Sequence, residues 1–205
     1  MTKIYPNSPT SQSPALDIAV DSEPSSFTVW RKSLLFNCSG FTVFDAKGEL
    51  VFRVDNYSFS KRTEIVLMDA AGKSVFTVRR KSIRSVSSLM QRLTLLDHWR
   101  IFEGEERRRF SARKHLTLLP SKVLAHVTPC GGEKGPIYCV EGSFSHRSCV
   151  VYDELRRPVL EIQRKEAIGG VAFGGDVFRL IVQPGFDSGL AMAIVILLEQ
   201  MFGAR

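Results

Sequence analysis

The segment GLAMAIVILLEQMF, residues 189–202, has no polar side chain between Leu190 and Leu198. A helix that spans a bilayer needs about 20 apolar residues, and Glu199 and Gln200 end this run well short of that length. Apolar runs of about 10–14 residues are typical of helices buried inside a protein. The sequence therefore predicts that this segment belongs to a protein core and is not a membrane anchor.

A helix from Ser188 to Phe202 would be about 22 Å long at about 1.5 Å per residue, which is close to the height of a small β-barrel. Either Asp187 or Ser188 can cap its start by accepting hydrogen bonds from the first free backbone N–H groups. A helix that is apolar on every side must be enclosed by protein or lipid. We predict a central core helix whose buried side chains include Leu190, Ile194, Leu197 and Leu198.

One pattern occurs four times upstream of this segment. An apolar stretch ends on an acid, a short polar turn follows, and apolar residues return seven and nine positions after the acid. The copies are FTVFDAKGELVFRVDN (41–56), IVLMDAAGKSVFTVRRK (65–81), WRIFEGEERRRFSARKH (99–115) and CVVYDELRRPVLEIQRK (149–165). Their acids are Asp45, Asp69, Glu103 and Asp153, and the returning apolar pairs are Phe52 and Val54, Phe76 and Val78, Phe110 and Ala112, and Leu160 and Ile162. Because an acid caps such a turn and glycine (Gly48, Gly72) accepts positive φ, each copy predicts a β-hairpin.

Repeated hairpins predict an antiparallel meander whose alternating residues bury one face of the sheet. A long open sheet exposes its edges, so the simplest solution is closure into a barrel. The intervening sequence predicts mostly further strands, at 30–41, 89–99, 123–127 and 136–144, with connections at 82–92, 129–136 and 169–175. The predicted fold class is therefore mainly β: a closed antiparallel barrel around a buried C-terminal helix.

Residues 1–26 differ in composition from the rest of the chain. They are rich in Ser, Pro and Thr and poor in apolar residues, which is typical of a disordered tail. Residues 27–205 are predicted to form one folded domain.

Sequence motifs of catalysis are absent: there is no GxSxG, HExxH or P-loop pattern and no paired-carboxylate motif. The histidines and cysteines lack the spacing of zinc ligands. The scattered cysteines are typical of buried, reduced thiols in an intracellular protein, with a disulfide as the less favoured alternative; they are Cys38, Cys130, Cys139 and Cys149. We therefore predict a non-enzymatic, intracellular protein with no metal ion or cofactor.

The formal net charge is +7 and the pI about 9.4, and a basic balance favours anionic partners. The candidate anion-binding residues are Lys61, Arg62, Arg79, Arg80, Lys81, Arg107, Arg108 and Arg109, and further basic pairs stand at 113–114, 156–157 and 164–165. Several of these clusters follow the second strand of a hairpin, so we expect them to gather toward one rim of the barrel. The ordinary alternative is that these charges only protect strand ends in water.

Four long strings resemble the plant LURP-one-related family over about residues 27–202. They are FTVWRKSLLFNCSGFTVFDAKGELVFRVDNYS, EIVLMDAAGKSVFTVRRK, EGSFSHRSCVVYDELRRPVLEIQRK and DVFRLIVQPGFDSGLAMAIVILLEQM. The resemblance implies the Tubby C-terminal-like fold, a twelve-stranded β-barrel around a central hydrophobic helix. It also implies kinship with phospholipid scramblases and Tubby proteins, the latter seen as membrane-tethered transcription factors, and a role in plant defence. The phosphoinositide ligands of Tubby proteins match no motif here, so none is transferred.

Three functions are compatible with these features. The favoured hypothesis is a module that binds phosphoinositides or anionic membranes in defence-related signalling, at the plasma membrane from the cytoplasm. The alternative is a nucleic-acid-binding or transcription-linked protein with a nuclear location. A scramblase-like activity is least favoured, because a helix enclosed by a barrel is not available to cross a bilayer.

Overall fold

The computed structural model describes residues 23–35, 38–57, 64–81, 98–104, 106–115, 121–130, 137–166 and 174–203, without the side chains of Cys38, Asn56 and Tyr57. These residues form twelve strands and one helix. The strands are β1 Ser25–Trp30, β2 Cys38–Phe44, β3 Leu50–Tyr57, β4 Glu64–Asp69, β5 Ser74–Arg80, β6 His98–Glu103, β7 Arg107–Lys114, β8 Val123–Pro129, β9 Tyr138–Ser143, β10 Ser148–Tyr152, β11 Pro158–Arg164 and β12 Val177–Val182, and the helix is α1 Ser188–Phe202.

The strands form a closed antiparallel barrel in which neighbours in sequence are neighbours in space. β1 completes the closure by pairing with both β12 and β2, with Ser25 opposite Val182 and Thr28 opposite Phe44. The predicted barrel is confirmed, with the twelve strands that the family resemblance implied.

The four predicted hairpins are β2–β3, β4–β5, β6–β7 and β10–β11, and three of them have the predicted acid cap. The carboxylates of Asp45 and Asp153 each accept two backbone N–H groups of the turn, and that of Asp69 accepts one, at 2.8–2.9 Å. Glu103 differs, because its longer side chain instead accepts hydrogen bonds from Arg107 and Arg109. Local turn chemistry therefore starts three of the hairpins.

Each of these hairpins also has a register shift of the ladder next to its turn. Gly48 and Gly72 have φ of 85° and 87°, the left-handed conformation that closes such a bulged turn. In β10–β11 the equivalent position is Arg156, with φ 60°. The non-glycine residue is held there by its side chain, which binds Glu141 at 2.7 Å and stacks on Tyr152.

Alternate side chains of every strand point into the barrel and cover α1. The predicted apolar pairs of the hairpins are buried, except that Phe110 is half-buried. Every residue from Gly189 to Leu198 is buried, including the predicted Leu190, Ile194, Leu197 and Leu198. Each large apolar side chain buried in this way contributes about 1.5–3 kcal/mol, so the packing of α1 against the strands is a large contribution to stability.

The helix begins where the sequence predicts, and Asp187 is its cap. The Asp187 Oδ1 atom accepts a hydrogen bond from the Leu190 backbone N–H at 2.6 Å. A side chain at Gly189 would meet Phe76 and Val75 at 3.0 and 3.2 Å, so glycine lets the first turn of α1 pass close to β5. Nowhere in the described part of the chain is there a helix long and apolar enough to cross a bilayer.

Several predictions fall outside the described residues or are sharpened by them. Five predicted features lie wholly or mostly outside the described residues. They are the tail (residues 1–22), the connection 82–92, the strand predicted at 89–99 (residues 89–97), and most of the connections 129–136 and 169–175. The predicted strands at 123–127 and 136–144 are confirmed as β8 and β9. The predicted strand at 30–41 is strand only at its two ends, because residues 31–35 form a connection between β1 and β2.

Replacing Ile194 with Asp should prevent the barrel from folding. Ile194 has no exposed surface, and an unpaired carboxylate there would be buried among apolar side chains at a cost of several kcal/mol. We expect aggregation or loss of the cooperative thermal transition measured by circular dichroism. The control Ile194→Val should lose only about 0.5–1.5 kcal/mol and melt cooperatively. A soluble Ile194→Asp variant with a cooperative transition would contradict the central position of α1.

Candidate functional site

The barrel has two chemically different ends. The hairpin turns of β2–β3, β4–β5, β6–β7 and β10–β11 lie at one end, which we call the turn end, and α1 enters the barrel there beside Phe76. The opposite end, which we call the helix-exit end, contains the β1–β2 and β9–β10 connections and the last turn of α1. Lys114, at the end of β7, donates a hydrogen bond to the Met201 carbonyl at 3.3 Å, which places the C-terminus of α1 at this end.

Charge is unevenly divided between the two ends. We assign to each end the described residues of its connections, the three adjoining residues of each strand and, at the helix exit, the last turn of α1. The helix-exit end then has thirteen cations and six acids, and the turn end has seven cations and eight acids, so one end is strongly positive and the other is slightly negative. The helix-exit cations are Arg31, Lys32, Arg79, Arg80, Lys81, Arg100, Arg113, Lys114, Lys122, Arg147, Arg164, Lys165 and Arg179.

Some of these cations hold the helix in place. Glu199, in the last turn of α1, is nearly buried, and its carboxylate lies 2.9 Å from Arg31 Nε and 3.5 Å from Arg147 Nη2. The C-terminus of a helix also has a partial negative charge, which nearby cations stabilise. Lys114 also stabilises the C-terminus of α1, since its Nζ donates to the Met201 carbonyl and lies 4.6 Å from the Phe202 ring centre. The helix exit therefore needs a positive rim for stability alone.

Arg147 is the most buried of these cations. Its guanidinium lies between Phe144 and Phe178, 4.3 and 4.5 Å from the ring centres, and its Nε donates to the Gly175 carbonyl at 2.9 Å. Burial lowers the pKa of Arg147, while Glu199 acts in the opposite direction. The Nη1 group has no hydrogen-bond partner among the described residues. The contacts fix the β9–β10 turn, the start of β12 and α1 to one another.

Other cations at the helix-exit end form a row on the outer surface of the barrel. Arg113 lies between His98 and His126 on the neighbouring strands, and Lys81 follows on the other side of His98. Arg113 is exposed and makes no ion pair with another described residue. The row faces solvent and is available to an anionic partner.

Two histidines of this row titrate below their usual range. Burial lowers the pKa of His98, and Arg113, Lys81 and Arg100 lower it further. Burial also lowers the pKa of His126, and His115 adds to this, while Glu141 opposes it. The rings of His115 and His126 meet edge to face, with centres 5.6 Å apart.

The predicted candidate residues do not form one surface. Arg79, Arg80 and Lys81 lie at the helix-exit end, where Arg79 binds Glu64 at 2.9 Å. Arg80 lies 5.7 Å from the centre of the Trp99 ring.

Arg107, Arg108 and Arg109 lie at the turn end instead. The carboxylate of Glu103 accepts hydrogen bonds from Arg107 and Arg109, and Arg108 Nε donates to Cys130 Sγ at 3.1 Å. The two basic clusters are thus separated by the length of the barrel, and Lys61 and Arg62 lie outside the described residues.

The sequence reasoning missed several residues of the helix-exit end. Arg31 and Arg147 are not among the predicted candidates, and Arg113 is predicted only as a member of a further basic pair. The order of the predicted hairpins could have indicated these positions, because successive connections of a meander lie at alternate ends. The apolar residues Trp30, Leu34 and Leu35, exposed in the same region, were also missed. The sequence pattern that could have identified them is a basic pair flanked by apolar residues, WRKSLL (30–35), between two strands.

Neither thiol nor metal chemistry is indicated by the described residues. No group of three or more His, Cys, Asp or Glu among them is placed to hold a metal ion. The thiols of Cys130, Cys139 and Cys149 are free, and burial raises the pKa of Cys149 to about 11. That thiol therefore stays protonated and unreactive near neutral pH.

Replacing Glu199 with Ala should destabilise the barrel by about 3 kcal/mol, because it leaves the buried Arg147 guanidinium without its carboxylate. The matched control, Glu64→Ala, removes the partner of Arg79 from a more exposed pair and should cost about 1 kcal/mol or less. Urea unfolding at neutral pH measures both. Equal effects of the two changes would show that Glu199 does not hold the helix exit.

Stability should fall as the pH falls from about 7 to 5. Both histidines have folded pKa values below the ordinary 6.5, so the unfolded chain binds protons first and gains stability relative to the folded chain. The double variant His98→Asn, His126→Gln should have a smaller change in unfolding free energy over this range. The control His146→Gln, at an exposed histidine, should behave as the wild type. An unchanged pH slope in the double variant would contradict the assignment.

Comparison with known proteins identifies relatives of this fold. The LURP-one-related family model matches residues 25–199. Protein LURP-one-related 8 of Arabidopsis thaliana is 46% identical over 209 residues, covering 98% of both chains, and protein LURP-one-related 17 of the same plant is 40% identical, covering 87% of this chain and 83% of its own. An X-ray structure of a protein from Arabidopsis thaliana aligns with a TM-score of 0.61 at 23% identity, covering 87% of this chain and 91% of that one. The last likeness supports the fold alone.

Proposed function

The chain belongs to the LURP-one-related family, and we propose that it is a non-enzymatic module that binds anionic membranes through the helix-exit end of its barrel. Its proposed ligands are phosphoinositide and other anionic head groups, and its proposed setting is defence-related signalling at the cytoplasmic face of the plasma membrane. The resemblance to Tubby and phospholipid scramblase proteins is consistent with a lipid ligand.

The single observation that carries this proposal is the uneven charge of the two ends. The helix-exit end has an excess of seven positive charges, whereas the turn end has an excess of one negative charge. Each cation held close to an anionic membrane surface contributes about 1 kcal/mol to binding. A flat bilayer can contact one whole end of the barrel at once. The binding free energies of the individual cations therefore add when that end faces the membrane.

Not all thirteen cations are available to a ligand. Arg31 and Arg147 are engaged by Glu199, and Arg79 is engaged by Glu64. Arg113 and Arg164 are exposed and form no ion pair with a described residue. They are therefore the residues through which the proposed binding is best tested.

Nucleic-acid binding is the alternative, and the described surface favours it less. Single-stranded nucleic acids are usually held by aromatic platforms beside a basic groove. The aromatic residues next to the basic cluster at 79–81 are occupied: Phe102 lies under Arg79, and Trp99 is buried beneath Arg80. Trp30 is then the one exposed Phe, Tyr or Trp side chain among the described residues, and a single ring is a small platform for stacked bases. Duplex DNA remains a competitor to be measured, because phosphates attract any basic surface.

Charge reversal at the helix-exit end should weaken membrane binding selectively. Arg113→Glu with Arg164→Glu removes two available cations, so binding to vesicles of phosphatidylcholine with phosphatidylinositol bisphosphate should fall at least about 30-fold. The matched control reverses the exposed Lys47 and Lys73 at the turn end, which gives the same change in net charge. Flotation at about 50 mM and 150 mM salt, with and without duplex DNA, measures the effect.

The outcomes separate the alternatives. No flotation of the wild type at the lower salt concentration would overturn the proposal. An equal loss in the two double variants would mean that only overall charge matters, and the helix-exit end would not be the binding surface. DNA that displaces the protein from vesicles at about 150 mM salt would favour the transcription-linked function instead.

A further inference from the structure

An exposed apolar cluster lies at the helix-exit end, next to its cations. Trp30, Leu34 and Leu35 keep 44%, 54% and 39% of their surface exposed, and we call these three residues the apolar tip. Single exposed leucines are common on soluble proteins and need no explanation. Three large apolar residues within six positions, beside Arg31 and Lys32, form a cluster of the kind that marks an interaction site.

The apolar tip is held in its exposed position by buried polar contacts. Ser33 is 6% exposed, and its hydroxyl donates to the Asp55 carboxylate and accepts from the Leu35 N–H at 3.0 Å. The Lys32 carbonyl accepts from the Thr42 hydroxyl at 2.6 Å. The segment is therefore anchored to β2 through Lys32 and to β3 through Ser33, directly before the exposed leucines. A preformed surface of this kind loses little conformational entropy on binding.

The chemistry of the tip fits the interface of a bilayer. Tryptophan prefers the level of the lipid head groups, leucine enters the apolar region below, and lysine and arginine remain beside the phosphates. Lys32 Nζ lies 5.8 Å from the centre of the Trp30 ring, so the cation and the aromatic ring are already next to each other. Arg31 stands between these two residues in the chain, and its guanidinium forms ion pairs with Glu199 and Asp176.

A second exposed apolar pair helps to decide what the tip contacts. Ile137 and Leu155, 46% and 72% exposed, lie at the turn end. Their surroundings carry no net charge, since the turn that holds Asp153 and Glu154 also holds Arg156 and Arg157, and Arg157 binds Asp153 at 2.7 Å. That end has no excess of positive charge to attract an anionic bilayer, whereas the apolar tip lies at the end that has an excess of seven positive charges. Of the two apolar clusters, only the tip combines exposure with charge complementary to anionic lipid.

We propose that the apolar tip inserts into the interface of an anionic membrane while the surrounding cations bind lipid phosphates. This inference rests on the proposed membrane-binding function and adds the orientation: the helix-exit end faces the bilayer and the turn end faces away. Insertion supplies a component of binding that salt does not screen, whereas the contribution of the rim cations weakens as salt rises. The partner is a lipid surface, and a head group free in solution would not engage the leucines.

The test compares two matched pairs of apolar-to-polar changes. Leu34→Ser with Leu35→Ser removes the two leucines of the apolar tip and keeps Trp30 as a probe, and Ile137→Ser with Leu155→Ser removes the exposed pair at the turn end. All four positions are exposed, and circular dichroism melting checks that both variants keep the barrel. Binding is measured by flotation with vesicles of phosphatidylcholine, phosphatidylserine and phosphatidylinositol bisphosphate, at about 150 mM salt. Tryptophan fluorescence is recorded with the same vesicles carrying brominated acyl chains.

We expect the tip variant to bind at least about tenfold more weakly and the turn-end variant to bind as the wild type. Brominated lipid should quench the wild type through the exposed Trp30, because Trp99 is buried in the core. If the tip variant binds as the wild type and the Arg113→Glu, Arg164→Glu variant still loses binding, the insertion inference is wrong and the membrane-binding function stands. If the wild type does not bind at any salt concentration, the function itself is wrong.

Self-association is the remaining outcome to exclude. Sedimentation of the wild type and the tip variant without lipid tests whether two copies cover each other's apolar tips. A dimer that becomes a monomer on Leu34→Ser with Leu35→Ser would overturn insertion and assign the tip to a protein interface. A monomer in both cases, together with quenching by brominated lipid, supports insertion.

Discussion

The enclosure of α1 is the constraint on which the rest of the structure depends. A helix with apolar side chains on every face cannot rest on one surface of a sheet, because its opposite face would remain in water. Only a wall that surrounds it completely removes that cost, and a twelve-stranded meander closed by β1 between β2 and β12 is such a wall. The four bulged hairpins make the meander from local turn chemistry, and α1 makes closure favourable.

Threading a helix through a barrel also fixes where charge is needed. The N-terminus of α1 enters among the hairpin turns, where Asp187 caps it and the acids of the turns are already present. Its C-terminus leaves at the other end with exposed carbonyl groups and the nearly buried Glu199, both of which require cations. Arg31, Lys114 and Arg147 meet that requirement from three separate connections and strand ends. Part of the difference in charge between the two ends thus follows from the direction of one helix.

The sequence predicts most of the fold because its signals are local. Asp45 and Gly48 lie in the turn that they form, and the apolar run of α1 is continuous in the chain. The candidate site could be predicted much less well, because its contacts are distant in sequence. Arg147 and Glu199 are 52 positions apart in the chain and are brought together only by the tertiary fold. The exposure of Leu34 depends on a hydrogen bond between Ser33 and Asp55, which alternation of apolar residues along a strand does not reveal. Arg79 and Arg107 look alike in the sequence, yet strand direction sends them to opposite ends.

Two sets of cations at the helix-exit end have different physical roles. Arg31 and Arg147 are tied to Glu199, and their removal would leave a buried carboxylate without a partner, so changes there act first on stability. Arg113 and Arg164 project into solvent without an ion pair to a described residue, so changes there act on long-range attraction and leave the core intact. The apolar tip is like the second set in this respect. It is anchored by the buried Ser33, and its exposed leucines contribute little to the core. Substitutions on this outer surface therefore leave the barrel folded, whereas substitutions around Glu199 destabilise it. The ligand preference of the surface can change while the scaffold stays the same.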